Sequence, residues 1–290
     1  MPQLPYHVVD VFAEEPFAGN PLAVVLDGET LSDEQMQRLA NEFQLSETAF
    51  PLRPTADEAA GGVDYRLRIF TPVNELPFAG HPSIGTAWLM ARLGRVGAGR
   101  VLQACGAGHL PLDVSADGGP VELTGGEPTW TEPVDPSVAL AAVGLRPDDL
   151  SGPPPRSCST GLGYVVLPVR AEALARCEPD LVQLRRSPTG IFVVAWDGAT
   201  ATARARMFAG DLGQPEDPAT GSAATAFGVW LAVSGEVPAD GETGYTIHQG
   251  VEMGRPSVLT CRVAVEGGRP VRMRVSGSVV PVAEGRVTVP

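Results

Sequence analysis

The chain repeats itself, and the repeat restricts what it can fold into. Arg66-Leu67-Arg68-Ile69-Phe70 leads through a proline-containing loop into Gly80-His81-Pro82-Ser83, which opens the helical stretch 84–90. Arg204-Ala205-Arg206-Met207-Phe208 leads through another such loop into Thr220-Gly221-Ser222, which opens 223–230. The offset is 138 residues from Arg68 to Arg206 and 141 from Gly80 to Gly221. Gly19-Asn20-Pro21, ahead of the apolar run 22–26, has a counterpart 142 residues on in Gly161-Leu162-Gly163. A strand start at Phe50 has one 143 residues on at Val193. One coincidence of glycines means nothing; four similar offsets indicate two duplicated halves. Two-half proteins commonly place a ligand between the halves, so the two glycine loops are the first place to look for chemistry.

The 290 residues suit two domains of about 140 each, divided here as 1–126 and 127–290, with the last strand free to return to the first half. A chain of this size needs neither metal nor disulfide to fold. A net charge of −13 and a pI near 4.7 argue against nucleic acid and anionic membranes as partners, because both require a basic face. All 21 basic residues are arginine. With no lysine there is no Schiff-base partner for pyridoxal phosphate and no P-loop lysine for nucleotide phosphates. Cys105, Cys158, Cys177 and Cys261 are far apart, without a CxxC or a histidine at ligand spacing, so neither a disulfide framework nor a metal site is expected. Four free thiols suit a reducing cytoplasm. Residues 1–12 show no basic segment followed by an apolar core, and no apolar run is long enough to span a bilayer.

Strands are predicted at 7–12 and 22–26, joined by a turn through Pro16, Gly19 and Pro21. Ser32 followed by Gln35 forms a capping box, and Met36, Leu39, Ala40 and Phe43 give the helix it opens an apolar face that ends near Gln44. Further strands are predicted near Phe50 and at 65–70 (with a polar loop between them), then at 100–103, 109–114 and 121–123. The segment 125–134, rich in Pro and Thr, looks like the crossing between halves. The second half repeats the plan: a helix near 136–143, strands at 164–169, 191–196 and 202–208, then the helix after Ser222. A β-meander closes the chain. Each half has one long helix, apolar nearly all round, as expected of a helix enclosed by a sheet. The fold class expected is therefore α+β, two pseudo-symmetric halves, each a curved mixed β-sheet wrapped around a central helix. No G-x-G-x-x-G follows the first strand, which leaves a Rossmann reading without support.

The openings at Gly80-His81 and Gly221-Ser222 have free first-turn amides and a positive dipole end, which suits an anion. The plainer alternative is an ordinary helix start, with Ser222 as the cap and Gly80 merely turning the chain. Of the four histidines, His81 alone stands at a repeated landmark; a helix N-terminus depresses its pKa and favours the neutral form, which suits proton exchange near pH 7. His7, His109 and His248 lie in or beside strands. Glu47 begins a strand of otherwise small and apolar residues, where burial would raise its pKa toward a general base's range; a solvent-facing or capping role is the alternative. Asp217, in Glu216-Asp217-Pro218-Ala219-Thr220-Gly221-Ser222, is one loop from the second helix opening, although an Asp-Pro pair by itself makes only a turn.

Taken together, Gly19-Asn20-Pro21-Leu22-Ala23-Val24-Val25, Leu45-Ser46-Glu47-Thr48, Arg68-Ile69-Phe70-Thr71-Pro72, Leu76-Pro77-Phe78-Ala79-Gly80-His81-Pro82, Glu216-Asp217-Pro218-Ala219-Thr220-Gly221-Ser222-Ala223 and Gln249-Gly250 with Met253-Gly254-Arg255-Pro256-Ser257 resemble the PhzF family of phenazine-biosynthesis-like isomerases, in order from about residue 8 to 285. The resemblance implies a fold of the diaminopimelate-epimerase type, a cofactor-free site between the halves and a homodimer. It implies an isomerase acting on a small cyclic carboxylic or amino acid, as the founding member does on trans-2,3-dihydro-3-hydroxyanthranilate. Carried over by motif, Glu47 would be the general base, with His81 and Asp217 as its acid–base and hydrogen-bonding partners. Ser222 and the amides around Gly80 and Gly221 would hold the substrate carboxylate. Related epimerases carry cysteine bases in both helix-opening loops; Gly80 and Gly221 stand there in this chain, which rules out thiol-based racemisation. Cys105, in Ala104-Cys105-Gly106-Ala107-Gly108, imitates that motif but lies between predicted strands and is assigned to structure. A non-catalytic carboxylate-binding or protein-interaction module and a two-base epimerase remain alternatives, separable by deuterium uptake and by inversion of a chiral substrate.

Overall fold

The computed structural model describes residues 2–116, 118–187, 189–210 and 215–290. The chain forms two compact units, Met1–Leu123 with Ser276–Pro290, and Thr124–Val275. Both are α+β, and the same pairing scheme appears in each.

In the first unit, Asn20–Val25 runs parallel to Glu47–Leu52, which pairs antiparallel with Tyr65–Phe70, which in turn pairs parallel with Gly99–Cys105. In the second, Gly163–Pro168 runs parallel to Gly190–Asp197, which pairs antiparallel with Thr202–Phe208, which pairs parallel with Gly241–Gln249. The register repeats too: Phe50 sits opposite Arg68 and Val193 opposite Arg206. Both landmarks lie inside their strands instead of starting them, because the three residues that precede each are extended as well. The first unit closes on Val279–Thr288, which pairs antiparallel with Gln3–Val11.

A parallel pair needs a crossover, and the longest crossover in each unit is its central helix, Gly80–Arg92 and Gly221–Val233. Residues 80–90 are buried without exception. Strands Gln3–Val11, Asn20–Val25, Glu47–Leu52 and Gly108–Val114 pack on that helix from several sides. Close approach explains one glycine in each: a Cβ on Gly85 would lie 2.7 Å from Val11 Cγ2, and one on Gly228 would lie 2.5 Å from the Tyr245 hydroxyl.

The loop before each central helix is braced by the same device. Arg68 donates through Nε and Nη2 to the two carboxylate oxygens of Glu75, both at 2.7 Å, and lies over the Phe70 ring at 5.1 Å. Arg206 does the same to Glu216, at 2.8 and 2.6 Å, over the Phe208 ring at 4.9 Å. The two-pronged geometry requires guanidinium, so the repeated arginines mark structure.

Two readings of the sequence need correction. Residues 56–60 form a short helix, not a loop, opened by a Thr55–Glu58 capping box. Of the strand Gly241–Gln249 only the neighbourhood of His248 was anticipated; its first half carries two glycines and is mostly exposed, which hides the alternation. The Ser32–Gln35 capping box and the stop at Gln44 are as expected. Among the described residues no helix is long and apolar enough to cross a membrane.

Candidate functional site

In the first unit the helix Asp33–Phe43 ends at Gln44, whose φ of 52° turns the chain into the strand beginning at Glu47. Glu47 sits opposite Leu22 in the parallel pairing and is 7% exposed. Ser46 Oγ donates to Asn20 Oδ1 at 3.2 Å, tying this corner to the Gly19-Asn20-Pro21 segment. His81 is the second residue of the central helix and is 5% exposed. Its ring bonds the Pro21 backbone, where only the carbonyl is available because proline has no N–H. Nε2 has no hydrogen-bond partner among the described residues, so the donor is Nδ1. Nε2 itself lies 3.5 Å from Glu47 Oε2. A neutral ring therefore carries its proton on Nδ1 and presents the Nε2 lone pair toward the carboxyl group, an arrangement through which one proton can pass.

Burial, opposed by the Pro21 bond, pulls the His81 pKa from its ordinary 6.5 to about 3. The sequence pointed to the helix dipole and to exchange near pH 7. Burial is the larger cause, and it keeps the ring neutral well below that pH.

Both helix openings lack a side-chain cap: Ala79 and Thr220 occupy the cap positions with extended backbones and make no capping bond. Ser222 is not the cap. It is the second helical residue, and its hydroxyl is 2.7 Å from the Tyr164 hydroxyl. Uncapped first turns keep amides available to an anion. In the second unit Asp217 ends the two-residue strand Glu216–Asp217, and its Oδ2 accepts from Thr220 Oγ1 at 2.5 Å. Gln249, fully buried, holds this turn at three points: Nε2 donates to the Asp217 carbonyl (2.8 Å) and to Thr220 Oγ1 (3.1 Å), and Oε1 accepts from the Thr220 amide (3.3 Å).

The structure thus brings Glu47 and His81 together in the first unit, and Asp217, Gly221 and Ser222 around one helix opening in the second. Gly80 directly precedes His81. Sequence reasoning missed the Pro21 carbonyl, Tyr164, Thr220 and Gln249 as parts of these clusters. Gln249 had a signal: it is a polar residue on the inward face that Tyr245 and Ile247 define. Cys105 ends a strand at a hairpin, its thiol directed to the Gly108 carbonyl at 3.4 Å. His7, His109 and His248 all lie in strands. Among the described residues no group of His, Cys, Asp and Glu is arranged to hold a metal ion.

Comparison with known proteins gives the family. The chain is 40% identical to a trans-2,3-dihydro-3-hydroxyanthranilate isomerase of Pseudomonas aeruginosa, over 97% of this chain and 98% of that one. A Bacillus anthracis phenazine biosynthesis protein of the PhzF family superposes with a TM-score of 0.88 at 26% identity, covering 100% of both chains. A predicted epimerase from P. aeruginosa does so with a TM-score of 0.80 at 34% identity, covering 99% of this chain and 100% of that one. The family model described as phenazine biosynthesis-like protein matches residues 9–285. With the match running through both repeated halves, the chain belongs to the PhzC-PhzF, phenazine biosynthesis-like family and is a PhzF-like isomerase.

Proposed function

We propose that this isomerase moves a proton on a small cyclic carboxylic or amino acid without a cofactor, and that Glu47 is the group that carries it. As carboxylate, Glu47 takes an acidic C–H proton; the electrons of that bond shift along the allylic system, and the acid so formed returns the proton to another carbon. One carboxyl group serves as base and then as acid, so the reaction balances with no co-reactant. The observation that carries this reading is the buried Glu47 carboxyl group 3.5 Å from the Nε2 of a histidine whose other nitrogen is committed to Pro21. Neutral His81 steadies the proton between the two steps, its Nε2 accepting from the Glu47 acid. Asp217 bonds a polar group of the substrate, and the substrate-binding roles that the family resemblance implies fall on Gly80 in the first unit and on Gly221 and Ser222 in the second. The relative named for trans-2,3-dihydro-3-hydroxyanthranilate supports that compound, or a close analogue, as substrate. The family resemblance also supports a homodimer working in the cytoplasm; light scattering on the purified protein tests the first of these.

The decisive experiment is incubation with trans-2,3-dihydro-3-hydroxyanthranilate and related cyclic acids in deuterated water, followed by mass and NMR analysis. Glu47→Gln keeps the shape and removes the base, and it should lower turnover by about two to four orders of magnitude. Turnover within a factor of a few of wild type would remove Glu47 from the role. Binding without label uptake would make the protein a binder, and inversion of a chiral substrate would make it an epimerase.

A further inference from the structure

We propose that Gln249 and Thr220 are positioning residues that fix Asp217 as a hydrogen-bond acceptor during the isomerase reaction. This rests on the role given to Asp217 above.

The direction of every bond in the cluster follows from two backbone groups that have no choice. The Thr220 amide is only a donor, and it meets Gln249 Oε1 at 3.3 Å. The Asp217 carbonyl is only an acceptor, and it meets Gln249 Nε2 at 2.8 Å. Together they set the Gln249 side-chain amide in one orientation, since a flipped amide would face oxygen to carbonyl and NH2 to N–H. The remaining Nε2 proton then points to Thr220 Oγ1 at 3.1 Å, and the Thr220 oxygen serves as acceptor. Its own proton is left for Asp217 Oδ2, 2.5 Å away.

Proton order thus runs from Gln249 through Thr220 to Asp217, whose Oδ2 is held as an acceptor. A hydroxyl donating to a carboxylate is a charge-assisted bond, stronger than its neutral equivalent. The cluster is also held sterically. Gly250, with a φ of 72°, follows Gln249 at the end of its strand, and a Cβ there would lie 2.7 Å from the Pro218 carbonyl oxygen. The strand end is pressed against the Asp217–Thr220 turn so closely that Gln249 reaches all three partners. Asp217 therefore meets the substrate as an acceptor for an amine or hydroxyl, and Thr220 and Gln249 act through it without touching the reacting atoms.

The test uses Thr220→Val, Thr220→Ser, Gln249→Met and Asp217→Asn in the full-length protein, each first checked for folding by circular dichroism. Proton NMR of wild type and Thr220→Ser should show a downfield, slowly exchanging hydroxyl resonance that Thr220→Val deletes and that Gln249→Met shifts upfield or lets exchange faster. No such resonance in wild type, or one unaffected by Gln249→Met, overturns the proton order. In deuterium uptake with trans-2,3-dihydro-3-hydroxyanthranilate, Thr220→Val should lose about ten- to a hundredfold, and Thr220→Ser should recover to within a few-fold of wild type. A full rate in Thr220→Val, or a Thr220→Ser as slow as Thr220→Val, overturns the positioning role while Asp217→Asn stays slow. Full activity in Asp217→Asn would instead overturn the assignment of Asp217 itself, and the positioning role with it.

Discussion

His81 shows how far burial moves a single residue from its behaviour in water. The unfolded chain binds a proton at His81 as the pH drops through 6.5, whereas the folded chain refuses it until about 3. Folding stability should therefore be insensitive to His81 above pH 6.5 and fall below it, by at most about 1.4 kcal/mol per pH unit. Urea unfolding between pH 7.5 and 4.5 should show a shallower loss for His81→Gln than for wild type, the two differing by up to about 2–3 kcal/mol at the acid end. Parallel curves would mean that the ring takes up its proton in the folded state. At this scale much of the candidate site was legible. Glu47 and His81 stood out as polar residues in apolar or glycine-rich surroundings. Pro21 did not, because its contribution is a backbone carbonyl, which no side chain advertises. Ser222 was legible as a position but not as a contact: its partner Tyr164 is 58 residues away in sequence.

Repeated elements invite the assumption of repeated energetics, and the two arginine forks contradict it. Arg206 and Glu216 side chains are 9% and 10% exposed, Arg68 and Glu75 22% and 42%. Arg206 also donates to the carbonyls of Leu174 and Cys177, whereas Arg68 has a second carboxylate in Asp33 at 2.6 Å. Removing one partner of a buried pair leaves a charge without compensation. Glu216→Gln should therefore destabilise by about 3–5 kcal/mol and Glu75→Gln by less than about 1 kcal/mol. Thermal unfolding of the two variants separates these cases, and equal losses would refute the contrast. The sequence showed the repeated arginines at once, but their unequal burial depends on packing from distant segments. Element types were recovered where a period or a cap was strong, as at Ser32–Gln35. The helix at 56–60 has a capping box but no buried residue, so nothing apolar marked it.

At the level of the whole molecule, the duplication was the legible feature, since equal offsets along the chain reappear as equal strand pairings in space. The sequence left the last strand free to return to the first half, and the first unit is discontinuous. Val279–Thr288 is assigned there by its pairing with Gln3–Val11; its counterpart in the second unit, Thr129–Trp130 on Arg156–Ser159, lies at that unit's start. This has a consequence for synthesis. Domains ordinarily fold in the order in which they leave the ribosome. Here the first to emerge is the last to be completed, because residues 124–275 must be made before the closing strand exists. At about 5–20 residues per second that wait is roughly 8–30 s, during which the edge of Gln3–Val11 lacks its partner and needs protection from other chains. Nascent chains arrested with residue 275 just clear of the exit tunnel should resist proteolysis across 124–275 while remaining cleavable within 1–123. Arrest after residue 290 has emerged should protect both. Early protection of 1–123 would show that the first unit closes without its final strand.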